Sequence, residues 1–157
     1  MRFRIIAGDG KALLGEGVWH GRLGRVYAHW QSLVEDDALP AYDRLQLSAL
    51  APDLRFLATL RVEGADFRFT SVGEEIAERY GRNLPGSFLA DQFVGPAQLD
   101  VLAAHRACAE ERLPVISEVT LNEVDLSIRV PYQRLLLPFA GDNGPVDHIL
   151  WAMAFPG

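Results

Sequence analysis

The chain is poor in the residues that most often announce chemistry. It has one cysteine, Cys108, and one lysine, Lys11, among its 157 residues. A lone cysteine excludes an internal disulfide and suits a reducing compartment, so a cytoplasmic location is expected. The other basic residues are scattered arginines, and the net charge is −6. Such a chain offers no electrostatic footprint for nucleic acid. No apolar run approaches the ~20 residues of a membrane helix. The N-terminal "MRFRIIAGDGKALLGEG" is too broken by Gly and Asp to read as a signal peptide. Internal repeats, a P-loop, a dinucleotide fingerprint and a nucleophile elbow are all missing.

Metal and cofactor signatures are equally thin. The histidines are His20, His29, His105 and His148, and no two of them stand four apart on a helix. "HRAC" at 105–108 is not a covalent haem motif. The carboxylates Asp91, Asp100, Glu110, Glu111, Asp125 and Asp147 are dispersed, with no acid/base dyad close in sequence. No metal site is expected, and no enzyme activity.

What is present is the composition of one globular domain: 49% hydrophobic and 23% charged residues. Residues 1–21 are Gly-rich and read as an N-terminal arm, with "RFRII" a short edge strand or part of a mobile segment. From residue 22 to 157 the pattern is that of a single folded unit. Leu23, Val26, Tyr27, Trp30, Leu33 and Val34 recur at steps of three and four, the stripe of an amphipathic helix. Pro40 closes it, and residues 42–50 make a second short helical piece. Residues 54–71 alternate on either side of "EGAD" and predict a β-hairpin. Ser71 and Glu74 have capping-box spacing ahead of a two-turn helix that carries Ile76, Ala77 and Tyr80 and stops at Gly81. "LPGS" places Pro85 and Gly86 for a type II turn. A longer helix starts near Pro96, with Leu99, Leu102 and Ala103 on one face and Val101, His105 and Cys108 beside it. Three strands follow: "VISEVTLNE", "LSIRVPYQRLLLPFA" with a break at Pro131, and "VDHILWAMAF" after the Asn143-Gly144 turn signal. The last is apolar throughout and reads as a central strand covered on both faces. The fold class is α+β: a five-stranded antiparallel sheet with helices inserted between strands two and three, preceded by an amphipathic helix.

That order resembles a PAS domain. "FRFTSVGEEIAERYGRNLPGSF" is similar to the PAS segment after the second strand, with Gly73, Gly81, Leu84 and Gly86 at the family's turn positions. "YQRLLLPFAGDNGPVDHILWAM" resembles the closing hairpin of an alphaproteobacterial PAS subfamily, with Phe139 where that pattern has Leu. "YAHWQSL" with its downstream "LP" resembles the same subfamily's first helix. The resemblance spans residues 25–155. It implies a sensory, signalling or protein-interaction domain, with any ligand held between sheet and helices. Light-sensing relatives carry a flavin-reactive cysteine on the loop after the short helix. "RNLPGSF" here has none, so no flavin is expected. His105, on the helix that walls the PAS pocket, is the best haem-ligand candidate in a chain for which no haem is expected.

The candidate pocket comprises Phe69, Tyr80, Phe88, Phe93, Leu102, His105, Tyr132, Arg134 and Trp151, suited to a small, largely apolar ligand. Plain core packing is the competing explanation for the aromatics. Arg134 interrupts an apolar strand; it either pairs with Asp147 across the hairpin or points inward to hold an acidic group. Leu23, Val26, Tyr27, Trp30, Leu33 and Val34 either cover their own sheet or form a homodimer interface. With no output segment attached, an unidentified protein partner is expected to carry the signal. The alternatives are a ligand-free homodimerisation or scaffold module and a small α+β-cone enzyme acting on an apolar substrate.

Overall fold

A computed structural model describes residues 1–6, 21–119, 128 and 130–155. Among these residues one antiparallel sheet of six strands forms: β1 (Arg2–Ile5), β2 (Leu57–Glu63), β3 (Asp66–Val72), β4 (Val115–Val119), β5 (Tyr132–Phe139) and β6 (His148–Ala154). Among the described residues the α-helices are α1 (Gly21–Leu33), α2 (Glu74–Tyr80) and α3 (Gly95–Glu111). Short 3-10 helices occupy Tyr42–Arg44, Leu47–Phe56 and Leu89–Gln92. The strand order is β1-β4-β5-β6-β2-β3. The five expected strands are therefore joined by a sixth, β1, which takes the edge beside β4. Of the expected N-terminal arm, residues 7–20 lie outside the described residues.

β6 is central, hydrogen-bonded to β2 and β5, and buried at six of its seven positions. Its unbroken apolar run reflects cover on both faces. One face packs under α2 and α3 and includes Leu60, Phe67, Phe69, Leu136, Trp151 and Met153. The other includes Leu57, Leu135, Leu137, Phe139, Leu150 and Ala152, and packs against α1. The stripe on α1 is the cover for that second face. Leu23, Val26, Tyr27, Trp30 and Leu33 are all buried against their own sheet, with Val34 half-buried beside them. Trp30 Nε1–H fixes the register of α1 by donating to the Pro138 carbonyl at 2.8 Å. In this arrangement the proposed dimer stripe is spent within one chain.

The local signals hold with shifts that have clear causes. The first strand of the β2–β3 hairpin begins at Leu57, not residue 54, because Leu47–Phe56 coils into 3-10 turns around Pro52. Gly64, at φ +62°, takes the first position of the two-residue turn between β2 and β3. In the closing hairpin the positive-φ pair is Asp142 and Asn143, with Gly144 N–H bonded to the Gly141 carbonyl at 2.8 Å. The turn thus sits one residue earlier than the Asn-Gly signal places it. Pro131 precedes β5 instead of breaking it. The expected strand 115–123 is described as far as Val119, and the remainder lies outside the described residues.

Two expectations are corrected. Ser71 does not cap α2: the N-cap is Gly73, with no side-chain cap, and Ser71 Oγ bonds Thr59 Oγ1 at 2.5 Å within the β2–β3 ladder. The strand runs to Val72 and claims the serine. The inner face of α3 is Val101, Ala104, His105 and Cys108, together with Ala97 and Leu102. Leu99 is 67% exposed and Ala103 is exposed as well.

Gly86 lies at φ +86°, and Ser87 N–H closes the turn onto the Leu84 carbonyl at 2.9 Å. This is the type II arrangement with Pro85 and Gly86 at its centre. A Cβ on Gly86 would meet nothing within 4 Å, so only its backbone conformation resists substitution. Gly86→Val is expected to cost about 1 kcal/mol, since β-branched residues resist positive φ. Chemical denaturation of the two proteins checks this; an unchanged midpoint contradicts it.

Candidate functional site

The α2/α3 face of the sheet gathers most of the predicted pocket residues into one cluster. Arg134 is its centre. It lies on β5, where Arg134 is register partner to Ser117 on β4 and Met153 on β6. Alternation along β5 sends Arg134 to the same side as Tyr132 and Leu136, toward α2. The side chain is fully buried. Its Nη2 donates to the hydroxyls of Tyr132 at 3.1 Å and Tyr80 at 3.3 Å. The guanidinium carbon stands 4.2 Å from the centroid of the Trp151 ring, a cation–π contact. The alternative pairing of Arg134 with Asp147 does not occur: Asp147 instead accepts from Gly141 N–H and bonds His148 Nδ1 at 2.9 Å.

Around the arginine the aromatics meet edge to face. Phe69 and Trp151 are perpendicular at 5.1 Å between centroids, and Tyr80 and Phe93 at 6.4 Å. Such pairs add about 0.5–1.5 kcal/mol each beyond the area they bury. Two predicted residues lie toward the edge of the cluster. Leu102 is buried in the same core and also lines a shallow surface groove with Glu63, Asp66, Phe88 and Arg106. Phe88 is only half-buried there, under the Arg68 guanidinium at 4.3 Å.

His105 belongs to the cluster as a structural member. Trp151 Nε1–H donates to His105 Nε2 at 2.6 Å, and the other ring nitrogen bonds the Val101 carbonyl at 2.8 Å. The indole can only donate, so Nε2 is the acceptor and Nδ1 carries the proton. Burial pushes the imidazole pKa down to about 3, reinforced by the nearby positive charge of Arg134. Both ring nitrogens are thus engaged in this neutral tautomer, and neither is presented as an iron ligand. Cys108, one turn on, is fully buried, and burial drives its thiol pKa upward, away from reactivity. His148 is half-buried and stacks on Tyr42 at 3.9 Å, near the sheet surface. His29 is half-buried on α1, and His20 lies outside the described residues. Among the described residues no group of three His, Cys, Asp or Glu side chains is placed to hold a metal. No described helix is long and apolar enough to cross a membrane.

Two features escape a reading of the sequence. Ser117 Oγ is buried on the Arg134 side of β4 and has no hydrogen-bond partner among the described residues. Alternation puts Ser117 on the inner face, but nothing marks it as opposite Arg134. The second is a buried carboxylate. Asp53 accepts from Arg25 Nε at 3.0 Å and Nη2 at 2.7 Å, with Arg22 Nε at 3.4 Å. The hydrogen bonds from Arg25 lead in holding its pKa below the usual carboxylate range. These partners are 28 residues apart or more, too far for any spacing rule to join them.

Comparison with known proteins bears on the fold. No curated protein matches the chain. Among solved structures, a sensory box sensor histidine kinase from Vibrio cholerae is similar at 20% identity and a TM-score of 0.52, over 73% of this chain and 91% of that one. A domain of an HTR-like protein from Haloarcula marismortui matches at 19% identity and a TM-score of 0.48, over 64% of this chain and 96% of that one. The first of these likenesses establishes a common fold: a sheet with helices inserted after the β2–β3 hairpin, as the resemblance in the sequence implies. The PAS domain family itself matches residues 19–154, which takes in α1, the whole Arg134 cluster and every strand but β1. The chain belongs to the PAS domain family.

Proposed function

We propose that this PAS domain is a sensory module whose receiving element is the Arg134 cluster. In this reading it takes up a small, mainly apolar ligand bearing one carbonyl or carboxylate acceptor, and passes the result on through protein contacts without catalysing a reaction. The supporting observation is the juxtaposition of Arg134 and Ser117. Both are fully buried, they are register partners on β4 and β5, and the serine hydroxyl has no partner among the described residues. A buried hydroxyl left unsatisfied costs about 1–3 kcal/mol. Apolar residues of similar volume in place of a buried charged group are often neutral or stabilising. A sheet built for stability alone has no use for this pair. An acceptor group set between hydroxyl and guanidinium would use it.

The cluster is closed, so a ligand must enter by displacing something. Residues 74–93 are suited to that: α2 and its following turn are bounded by Gly73, Gly81 and Gly86, and the latter two are in left-handed conformations. The short helix is thus a discrete piece, tied to the sheet at Gly73 and followed by two left-handed glycines. Neither haem nor flavin is part of the proposal, and the purified protein should show no Soret or flavin absorption band. The single cysteine suits a cytoplasmic setting. Protein contacts, a second copy included, would use surfaces other than the α1 stripe, which is occupied by its own sheet.

Native mass spectrometry of the purified protein, and thermal shift against a panel of aromatic and aliphatic monocarboxylates, test the ligand. The expected result is a carried small molecule or a rise in Tm of several degrees, lost in Arg134→Met while the circular dichroism spectrum is retained. Absence of both sinks the ligand reading. The second reading, a ligand-free interaction module, would then stand; it is favoured by the nearly complete burial of Phe69, Trp151 and Tyr132 by protein alone.

A further inference from the structure

We infer that a ladder of stacked arginines and phenylalanines, wrapped around one end of the sheet, ties the Arg134 cluster to α1, with Phe155 and Arg79 as the positioning residues. The sheet separates α1 from α2, so coupling between them must go through it or around it. The route around it is continuous. On the α1 side, Arg22 stacks on Phe56 with its guanidinium carbon 3.4 Å from the ring centroid. Phe56 meets Phe155, just past the end of β6, at 6.2 Å between centroids. On the other face of the sheet, Arg79 of α2 stacks on Phe155 at 3.6 Å. Phe155 also lies 5.9 Å from the ring of Tyr132, whose hydroxyl accepts from Arg134.

Each end of the ladder is anchored. Arg22 donates to the Met153 carbonyl at 3.2 Å and faces Asp53, the carboxylate gripped by Arg25 of the same helix. Arg79 is held by Glu75 at 3.1 Å, and Glu75 takes a second arginine, Arg55, at 3.3 Å. Arg55 and Phe56 are adjacent in one 3-10 helix, so the two anchors share a backbone. Arg79 and Tyr80 are likewise adjacent in α2. A shift of Tyr80 or Tyr132 on the α2/α3 face therefore displaces Arg79 or Phe155. Their close contacts carry the displacement to Phe56 and Arg22, and so to the first turn of α1. Burial helps: Phe155 is only 8% exposed and the Asp53 side chain 3%, so neither can yield into solvent. The device works whether the cluster responds to a ligand or to a change of packing, and so does not depend on the ligand proposed above.

Hydrogen exchange read by mass spectrometry tests it in a mutant cycle. Tyr132→Phe removes a hydroxyl on the α2/α3 face. It is expected to raise exchange of the 21–33 amides about threefold while leaving the 57–63 amides of β2 unchanged. In a Phe155→Leu background the same substitution should leave the 21–33 amides as they are. Phe56→Leu, which breaks the link between Phe155 and Arg22, is a second background with the same expectation, should Phe155→Leu fold poorly. Three results overturn the inference: equal effects of Tyr132→Phe in the wild-type and ladder-broken backgrounds, no effect on α1 in the wild type, or a parallel rise in β2 that marks general loss of stability.

Discussion

Gly73→Ala is expected to cost the fold about 3 kcal/mol and to lower Tm by roughly 6–12 °C. The reason is space and not backbone conformation. Gly73 has φ −66° and ψ 153°, which any residue adopts. A Cβ there, however, would sit 2.4 Å from the Leu54 carbonyl oxygen and 2.5 Å from that of Arg55. Both are backbone atoms, so neither can swing aside as a side chain could. The approach is further locked by Gly73 N–H, which donates to the Leu57 carbonyl at 2.7 Å. This contact is where the chain leaves β3 and starts α2. Relieving the clash means moving α2, and with it Ile76 and Tyr80, out of the core they fill. Gly81→Ala makes the comparison. Gly81 is left-handed at φ +67°, but a Cβ added there would meet no atom within 4 Å, so it should lose only about 1 kcal/mol. Thermal and urea melts of both variants decide the matter; a Gly73→Ala protein melting within about 2 °C of wild type would mean the helix starts elsewhere.

The contrast between these two glycines shows where a sequence is readable. Gly81 and Gly86 follow helical or turn residues at positions where left-handed backbone is the rule, so local pattern finds them. Gly73 is required by residues 54 and 55, which local pattern places in a strand and which coil instead into a 3-10 helix. The same division runs through the site. Phe69, Tyr80, Phe93, Tyr132 and Trp151 are recognisable as inward-facing from period and alternation, and their convergence follows once the order of elements is known. Arg134 is conspicuous as a charge in an apolar strand, but its direction rests on a register that places it beside Ser117 and Met153 instead of Asp147. Phe88 has the composition of a pocket residue and sits at the surface, because the Leu84–Ser87 turn carries it past the edge strand β3, where it bridges Arg68. The α1 stripe fits a partner's surface or its own sheet equally well in sequence. Only the packed structure assigns it to its own sheet, through Trp30 and the Asp53 clamp.

Acid should weaken this protein through His105 before it does so through Asp53. The imidazole is fully buried and its pKa in the folded chain is about 3, against an unfolded value of about 6.5. Burial is the main cause, with Arg134 adding repulsion. Below pH ~6.5 the unfolded chain binds a proton that the folded chain refuses, so stability falls as pH falls, by about 1.4 kcal/mol per pH unit. Between pH 6.5 and 4 this amounts to roughly 3 kcal/mol, a large share of a typical domain's 5–15 kcal/mol. Asp53 acts in a lower window. Its pKa is depressed by the hydrogen bonds from Arg25, so the stability it contributes is present above the unfolded carboxylate value of about 3.9 and is lost only as pH drops further. The two effects are therefore separable by pH. His105→Gln separates them by chemistry as well: the amide oxygen can accept from Trp151 Nε1–H, and the side chain takes up no proton. Urea unfolding of both proteins at pH 7, 5.5 and 4 should give a wild type that weakens steeply across the series and a variant that weakens far less. Parallel lines for the two proteins would show that His105 gains a proton in the fold as easily as out of it, and that the Trp151 contact does not hold the ring neutral.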